Sequence, residues 1–154
     1  MTGGISGSPS DPQISVSVVT YNNQHCLPGF LDSLRHQTDV RWELSFFDNA
    51  SRDGTPALIQ QAAMGTLFVS DENIGFGRAH NHNAARCRGA YLLILNPDLE
   101  FGPGLFAGLL RYLEDHPEQA LAGPRVLEGA ARQPFPPLHF YPCEGMIALE
   151  PGLR

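Results

Sequence analysis

Ala90-Tyr91-Leu92-Leu93-Ile94-Leu95-Asn96-Pro97-Asp98 is an apolar run that ends in polar and acidic side chains. A short apolar run bounded by turn residues reads as a buried strand. Open α/β sheets bind ligands at the carboxyl ends of their strands. The same pattern occurs twice earlier in the chain. Ile14 to Val19 leads into Thr20-Tyr21-Asn22-Asn23, and Trp42 to Phe47 leads into Asp48-Asn49-Ala50-Ser51. Three runs of this kind predict one crevice lined from several strand ends, and hence a ligand site.

Between these runs the apolar spacing changes from strand-like to helical. Leu27, Phe30, Leu31 and Leu34 predict an amphipathic helix over 27–37. Thr55-Pro56 reads as an N-cap followed by proline at the first helical position, with a short helix over 57–63. Thr66 to Val69 is a short strand, and Asn73 to Gly77 a turn before a helix over 78–88. Leu105, Leu109, Leu110 and Leu113 share one helical face, and Ala120-Leu121-Ala122 reads as a fifth strand. Strands alternating with helices predict a three-layer α/β domain with a mostly parallel central sheet.

The chain has 154 residues, enough for one domain with a sizeable core, and 42% of them are hydrophobic. Its formal net charge is -6, without a Lys/Arg run, which argues against a nucleic-acid surface. The three cysteines, Cys26, Cys87 and Cys143, are widely spaced and odd in number, so they read as reduced thiols. No apolar stretch reaches the roughly 20 residues that span a bilayer. Residues 1–13 are rich in Gly, Ser and Pro and read as a flexible leader rather than a secretory signal. A cytoplasmic location follows, with the inner face of a membrane as the alternative. Beyond about Arg125 five prolines interrupt the pattern, and 125–154 reads as a Pro-rich tail.

Each strand end carries candidate chemistry. Asp48 can accept hydrogen bonds from a base or sugar, while Asp53-Gly54 is satisfied by a turn role. Gly75-Phe76-Gly77-Arg78-Ala79-His80 holds half of a dinucleotide fingerprint. Its third glycine is replaced by His80 and it follows a later strand, so that reading is set aside. The glycines still permit close backbone approach, and the next helix N-terminus favours a negative group. His80 and His82, two apart on a helix, point in different directions and do not suit one ion. Asp98 is the best metal position, because magnesium and manganese take one or two carboxylates plus substrate phosphates. Glu100 is a candidate second ligand.

Together, Val18-Val19-Thr20-Tyr21-Asn22, Asp48 to Thr55, Asn73-Ile74-Gly75-Phe76-Gly77 and Asn96-Pro97-Asp98 resemble the nucleotide-sugar half of family 2 glycosyltransferases. The Asn-Gly-Phe pattern at 73–76 with Asn96-Pro97-Asp98 is most similar to the rhamnosyltransferase-like branch. The resemblance covers about Ile14 to Gly123 and implies a GT-A fold, Rossmann-like, over 14–124. The tail 125–154 would then be the incomplete start of the acceptor half. It implies that Thr20, Tyr21 and Asn22 line the nucleoside pocket and that Asp48 hydrogen-bonds the base, with Asn49 among the nucleotide-sugar-binding residues. Gly75, Phe76, Gly77, Arg78 and Asn81 would follow the sugar-phosphate. Asp98, with Asn96 in place of the motif's first acid, would hold Mg2+ or Mn2+.

The implied reaction is inverting transfer of a sugar from a UDP- or dTDP-linked donor to a hydroxyl on a saccharide or lipid-linked acceptor, in bacterial surface polysaccharide synthesis. The general base is not identified in this sequence. A non-catalytic nucleotide-sugar-binding module is the alternative. A nucleotidyltransferase would need a basic glycine-rich loop after the first strand, where this chain has Thr20 to His25.

Overall fold

The computed structural model describes residues 11–124, 126–128 and 133–134. The chain divides into two compact units, Met1–Ala122 and Gly123–Arg154. Most of the expected leader and tail lie outside the described residues. In the second unit, Leu127–Glu128 pairs antiparallel with Gln133–Pro134.

The first unit alternates β1 (Ile14–Thr20), α1 (Leu27–Arg35), β2 (Trp42–Asp48), α2 (Thr55–Ala62), β3 (Thr66–Val69), α3 (Phe76–Ala84), β4 (Tyr91–Leu95) and α4 (Leu105–Asp115). The four strands form one parallel sheet in the order β3-β2-β1-β4. The chain steps outward from β1 to β3, then returns across the sheet to place β4 on the other side of β1. That reversal opens a crevice between the carboxyl ends of β1 and β4.

Side-chain alternation divides the packing. Ile14, Val16 and Val18 of β1, with Leu44 and Phe46 of β2, meet Leu27, Phe30, Leu31 and Leu34 of α1, Ile59 of α2, and Phe106 and Leu110 of α4. Edge-to-face contacts from Phe30 to Phe101 and from Trp42 to Phe106 close this core. Val19 and Phe47 point the other way, onto Ala79 of α3. The same face carries a buried polar group. Ser15 Oγ donates to Glu43 Oε1 at 2.6 Å, and Asn83 Nδ2 donates to Ser17 Oγ and to the Val18 and Ser45 carbonyls.

Four differences from the sequence reading have local causes. Gln13, the last residue of the expected leader, is held just before β1: its N–H bonds the Arg41 carbonyl and its own carbonyl receives the Tyr91 N–H. Helix α2 includes Thr55 itself, because the Asp53 carboxylate takes the Thr55 N–H and leaves the Thr55 hydroxyl for the Asn23 N–H. Helix α3 starts at Phe76 rather than Arg78, since Gly75, at φ +86°, makes the entry turn. Ala120–Ala122 is not a strand; it runs beside Tyr91–Leu93 and Leu109–Leu113 without joining the ladder.

Candidate functional site

The loops after β1 and β2 are stitched together by main-chain groups meeting side chains. Asn22 N–H donates to Ser51 Oγ, Arg52 N–H to Asn22 Oδ1, Asn23 N–H to Thr55 Oγ1, Gln24 N–H to Asp53 Oδ2 and Gly54 N–H to Gln24 Oε1. Asn22 takes a left-handed backbone, φ +56°, which asparagine tolerates. Ala50 does so at φ +65°, a strained conformation of the kind that clusters at functional sites. Burial pulls the Asp53 pKa upward, but hydrogen bonds from Thr55 and the Gln24 N–H outweigh it and hold the carboxyl below its ordinary value. The turn role expected of Asp53 is what this geometry provides.

Asp48 and Asn49 part company at the end of β2. Asp48 is 0% exposed. It accepts from Thr20 Oγ1 at 2.8 Å, Ser51 Oγ at 2.6 Å and Ser51 N–H at 2.9 Å. These bonds latch the two loops together, and the carboxylate sits one residue before the crevice-lining Asn49. Asn49 does line the crevice, and its Oδ1 receives the Ile74 N–H at 2.8 Å. Asn73 Oδ1 receives the Gly75 N–H. Two asparagines therefore set the turn that aims the start of α3.

The crevice holds about 310 Å³. From β1 it takes Thr20 and Tyr21, with Asn23 beyond; from β2, Asn49; from the α3 entry, Asn73 and Phe76; and from β4, Asn96, Pro97 and Asp98. Tyr21 and Phe76 are about half exposed, presenting ring faces to a ligand. The first-turn N–H groups of α3 have no partners within the helix, which suits an anion. Nothing near Gly75 or Gly77 would meet an added Cβ, so backbone approach there is open. Asn22, Gly75, Gly77, Arg78 and Asn81 stand outside the crevice wall: Asn22 is spent on the loop latch, and Arg78 and Asn81 are exposed on α3. Asn23 and Asn73 were not singled out from sequence; both are asparagines at strand-end loops, the same signal that flagged Asn49 and Asn96.

Among the described residues, Asp98 is the one charged side chain on the crevice wall. Among the described residues no three His, Cys, Asp or Glu side chains gather as a metal cage. Glu100 folds over α1, where an added Cβ on Gly29 would collide with its carboxylate, and is not on the crevice wall. A single exposed carboxylate beside the Asn96 amide fits a hard cation that keeps waters and takes its remaining ligands from a diphosphate. Without such a cation, Asp98 would repel the diphosphate.

Beneath Phe76, the His80 ring makes an edge contact at 4.3 Å. Its Nδ1 lies 2.7 Å from Ser17 Oγ, and its buried Nε2 has no partner among the described residues. Asn83 Nδ2 donates to the same Ser17 oxygen, and which partner of the His80–Ser17 bond is the donor depends on the His80 tautomer. Burial lowers the His80 pKa and keeps the ring neutral.

A crevice at the switch point, walled by strand-end asparagines and one acid, agrees with the sequence comparison. The profile of the family described as glycosyl transferase family 2 matches residues 15–151. The chain belongs to glycosyl transferase family 2. One relative, the N-acetylglucosaminyl-diphospho-decaprenol L-rhamnosyltransferase of Mycobacterium tuberculosis, is 30% identical over 125 residues, covering 73% of this chain and 41% of that protein. Another, the putative glycosyltransferase EpsH of Bacillus subtilis, is 28% identical over 107 residues, covering 68% and 31%. The chain thus spans about two fifths or less of the curated relatives described here. Among solved structures, the mannosyltransferase PcManGT of Pyrobaculum calidifontis, in complex with GDP-Man and Mn2+, superposes with a TM-score of 0.63 at 25% identity, over 70% of this chain and 34% of that one. S. aureus TarS 1-349 in complex with UDP-GlcNAc superposes at 0.61 with 21% identity, over 75% and 38%. The fold of this family 2 chain is GT-A, as its sequence motifs imply. No helix among its described residues is long and apolar enough to cross a membrane.

Proposed function

We propose that this chain is the donor-binding part of an inverting glycosyltransferase that transfers a sugar from a UDP- or dTDP-sugar to a hydroxyl acceptor. The observation that carries the reading is the crevice at the switch point, which combines ring faces, strand-end amides, a helix N-terminus and one carboxylate. Tyr21 and Thr20 take the nucleoside side. Asn49, which lines the crevice, and Asp48, buried beside it, take the base side. The α3 entry, Gly75 to Arg78 with Asn81 a turn later, lies along the diphosphate. Asp98 and Asn96 hold magnesium or manganese, which when bound offsets the charge of the departing nucleoside diphosphate. The presence of GDP-Man and Mn2+ in the mannosyltransferase neighbour supports the ion. The rhamnosyltransferase relative supports a 6-deoxyhexose donor and a lipid-linked or saccharide acceptor in surface polysaccharide synthesis. Such a reaction is placed in the cytoplasm or at the inner face of the membrane.

The second reading, donor binding without transfer, is motivated by the chain spanning 41% of the rhamnosyltransferase relative, with no general base assigned in it. Incubation with labelled dTDP- and UDP-sugars and a panel of saccharide and polyprenyl-diphosphate acceptors separates the two. Transfer that disappears in Asp98→Ala supports the enzyme. Tight donor binding with no transferred label supports the binding module.

A further inference from the structure

Strand β3 is the outer strand of the sheet on its side, paired with β2 alone among the described residues. Ser70 N–H donates to the Asp48 carbonyl. By the two-residue period of a strand, Phe68 and Thr66 also turn their main-chain groups toward β2, and Leu67 and Val69 turn theirs outward. An edge of this kind is a template for another strand, and natural edges are guarded by lysine, proline or a bulge. Thr66-Leu67-Phe68-Val69 has no lysine or proline, and Phe68 and Val69 are 45% and 48% exposed. The Phe68 ring is already fixed, stacked on Phe47 with ring centres 5.0 Å apart and leaning on His82 at 4.3 Å.

We propose that this edge is a self-pairing surface on which β3 of a second copy of the chain docks antiparallel, about a two-fold axis at Phe68. In that register Leu67 faces Val69 of the second copy and Val69 faces its Leu67. Both are hydrogen-bonded pairs, so every outward N–H and C=O of the two residues is used. The two Phe68 side chains fall in the closely spaced, non-hydrogen-bonded pair between them, where aromatic pairs stabilise best. The charges agree with the same register. Asp71 and Glu72 follow β3 directly, while Arg86 lies over its other end, lining a cleft with Met64, Gly65 and Thr66. Antiparallel pairing brings position 71 of one copy opposite position 65 of the other, so the acidic end of each meets Arg86 of its mate. A parallel strand would place acid on acid, which favours the two-fold arrangement of two identical chains.

Sedimentation equilibrium of the full chain across the micromolar range tests this. The wild type is expected to show a concentration-dependent monomer–dimer equilibrium. Val69→Pro removes an outward N–H and leaves the ladder to β2 intact, so it is expected to be monomeric at every concentration with unchanged circular dichroism. Arg86→Glu is expected to weaken the dimer, and Arg86→Glu combined with Asp71→Lys to restore it, which decides the matter if Val69→Pro does not fold. A wild type that stays monomeric throughout overturns the proposal, as does a dimer indifferent to Val69→Pro or to the charge reversals.

Discussion

Asp48 and Asn49 are adjacent and both buried, yet only Asn49 reaches the crevice wall. The strand period explains it: Leu44, Phe46 and Asp48 share the face that packs toward α1 and α2, and the chain turns toward the crevice at Asn49. That alternation was present in the sequence. Asp48→Ala should therefore act on stability, lowering the unfolding free energy by about 3 kcal/mol, since hydrogen bonds to a charged group contribute roughly 1.5–3 kcal/mol each. Asn49→Ala should weaken donor binding and also lower the urea midpoint, since it strands the Ile74 N–H at a cost of roughly 1–3 kcal/mol. Ala63 ends α2 in a left-handed conformation at φ +50°. Ala63→Gly should raise stability by about 0.5–1 kcal/mol in urea unfolding, because relief of the left-handed strain exceeds the added chain entropy. Neither Ala50 nor Ala63 announces its positive φ in the sequence, as alanine is an ordinary helix or loop residue.

The four central strands and the existence and type of four helices were legible, because each carries a clear period of two or of 3.6 residues. Boundaries were less so. The α3 entry depends on Gly75 and on the Asn49–Ile74 hydrogen bond, a contact across 25 positions that no local window contains. Ala120–Ala122 has strand-like composition, but composition supplies no hydrogen-bonding partner. The buried Gln37 was also invisible as a joint. Its amide donates to the Ser33 and Gly102 carbonyls and accepts the Phe106 N–H, tying the end of α1 to the start of α4. Gln37→Leu keeps the volume but strands the Phe106 N–H and the Gly102 carbonyl. Each buried unpaired group costs roughly 1–3 kcal/mol, so thermal unfolding should report a loss of about 2–4 kcal/mol.

Over the whole molecule, the polar face under α3 makes stability depend on pH. His80 and His82 both have lowered pKa values, the first through burial, the second through burial and then the nearby Arg86. The unfolded chain takes up protons near pH 6.5 that the folded chain refuses, so stability is full above 6.5 and falls as pH drops below it. Asp53, also lowered, adds a second loss as pH falls below 3.8 toward its folded value. Urea midpoints measured from neutral into acid should decline in these two stages, and His80→Gln should flatten the first. The sheet order β3-β2-β1-β4 makes the crevice at β1 and β4 the place where a ligand meets the most strand ends. The central claim is that this crevice binds a nucleoside diphosphate sugar through a cation on Asp98. Calorimetric titration with dTDP- and UDP-sugars, with and without manganese, on the wild type and Asp98→Ala tests it most directly. The account predicts manganese-dependent binding to the wild type that Asp98→Ala loses while remaining folded; equal binding by the two proteins, or none by the folded wild type, would contradict it.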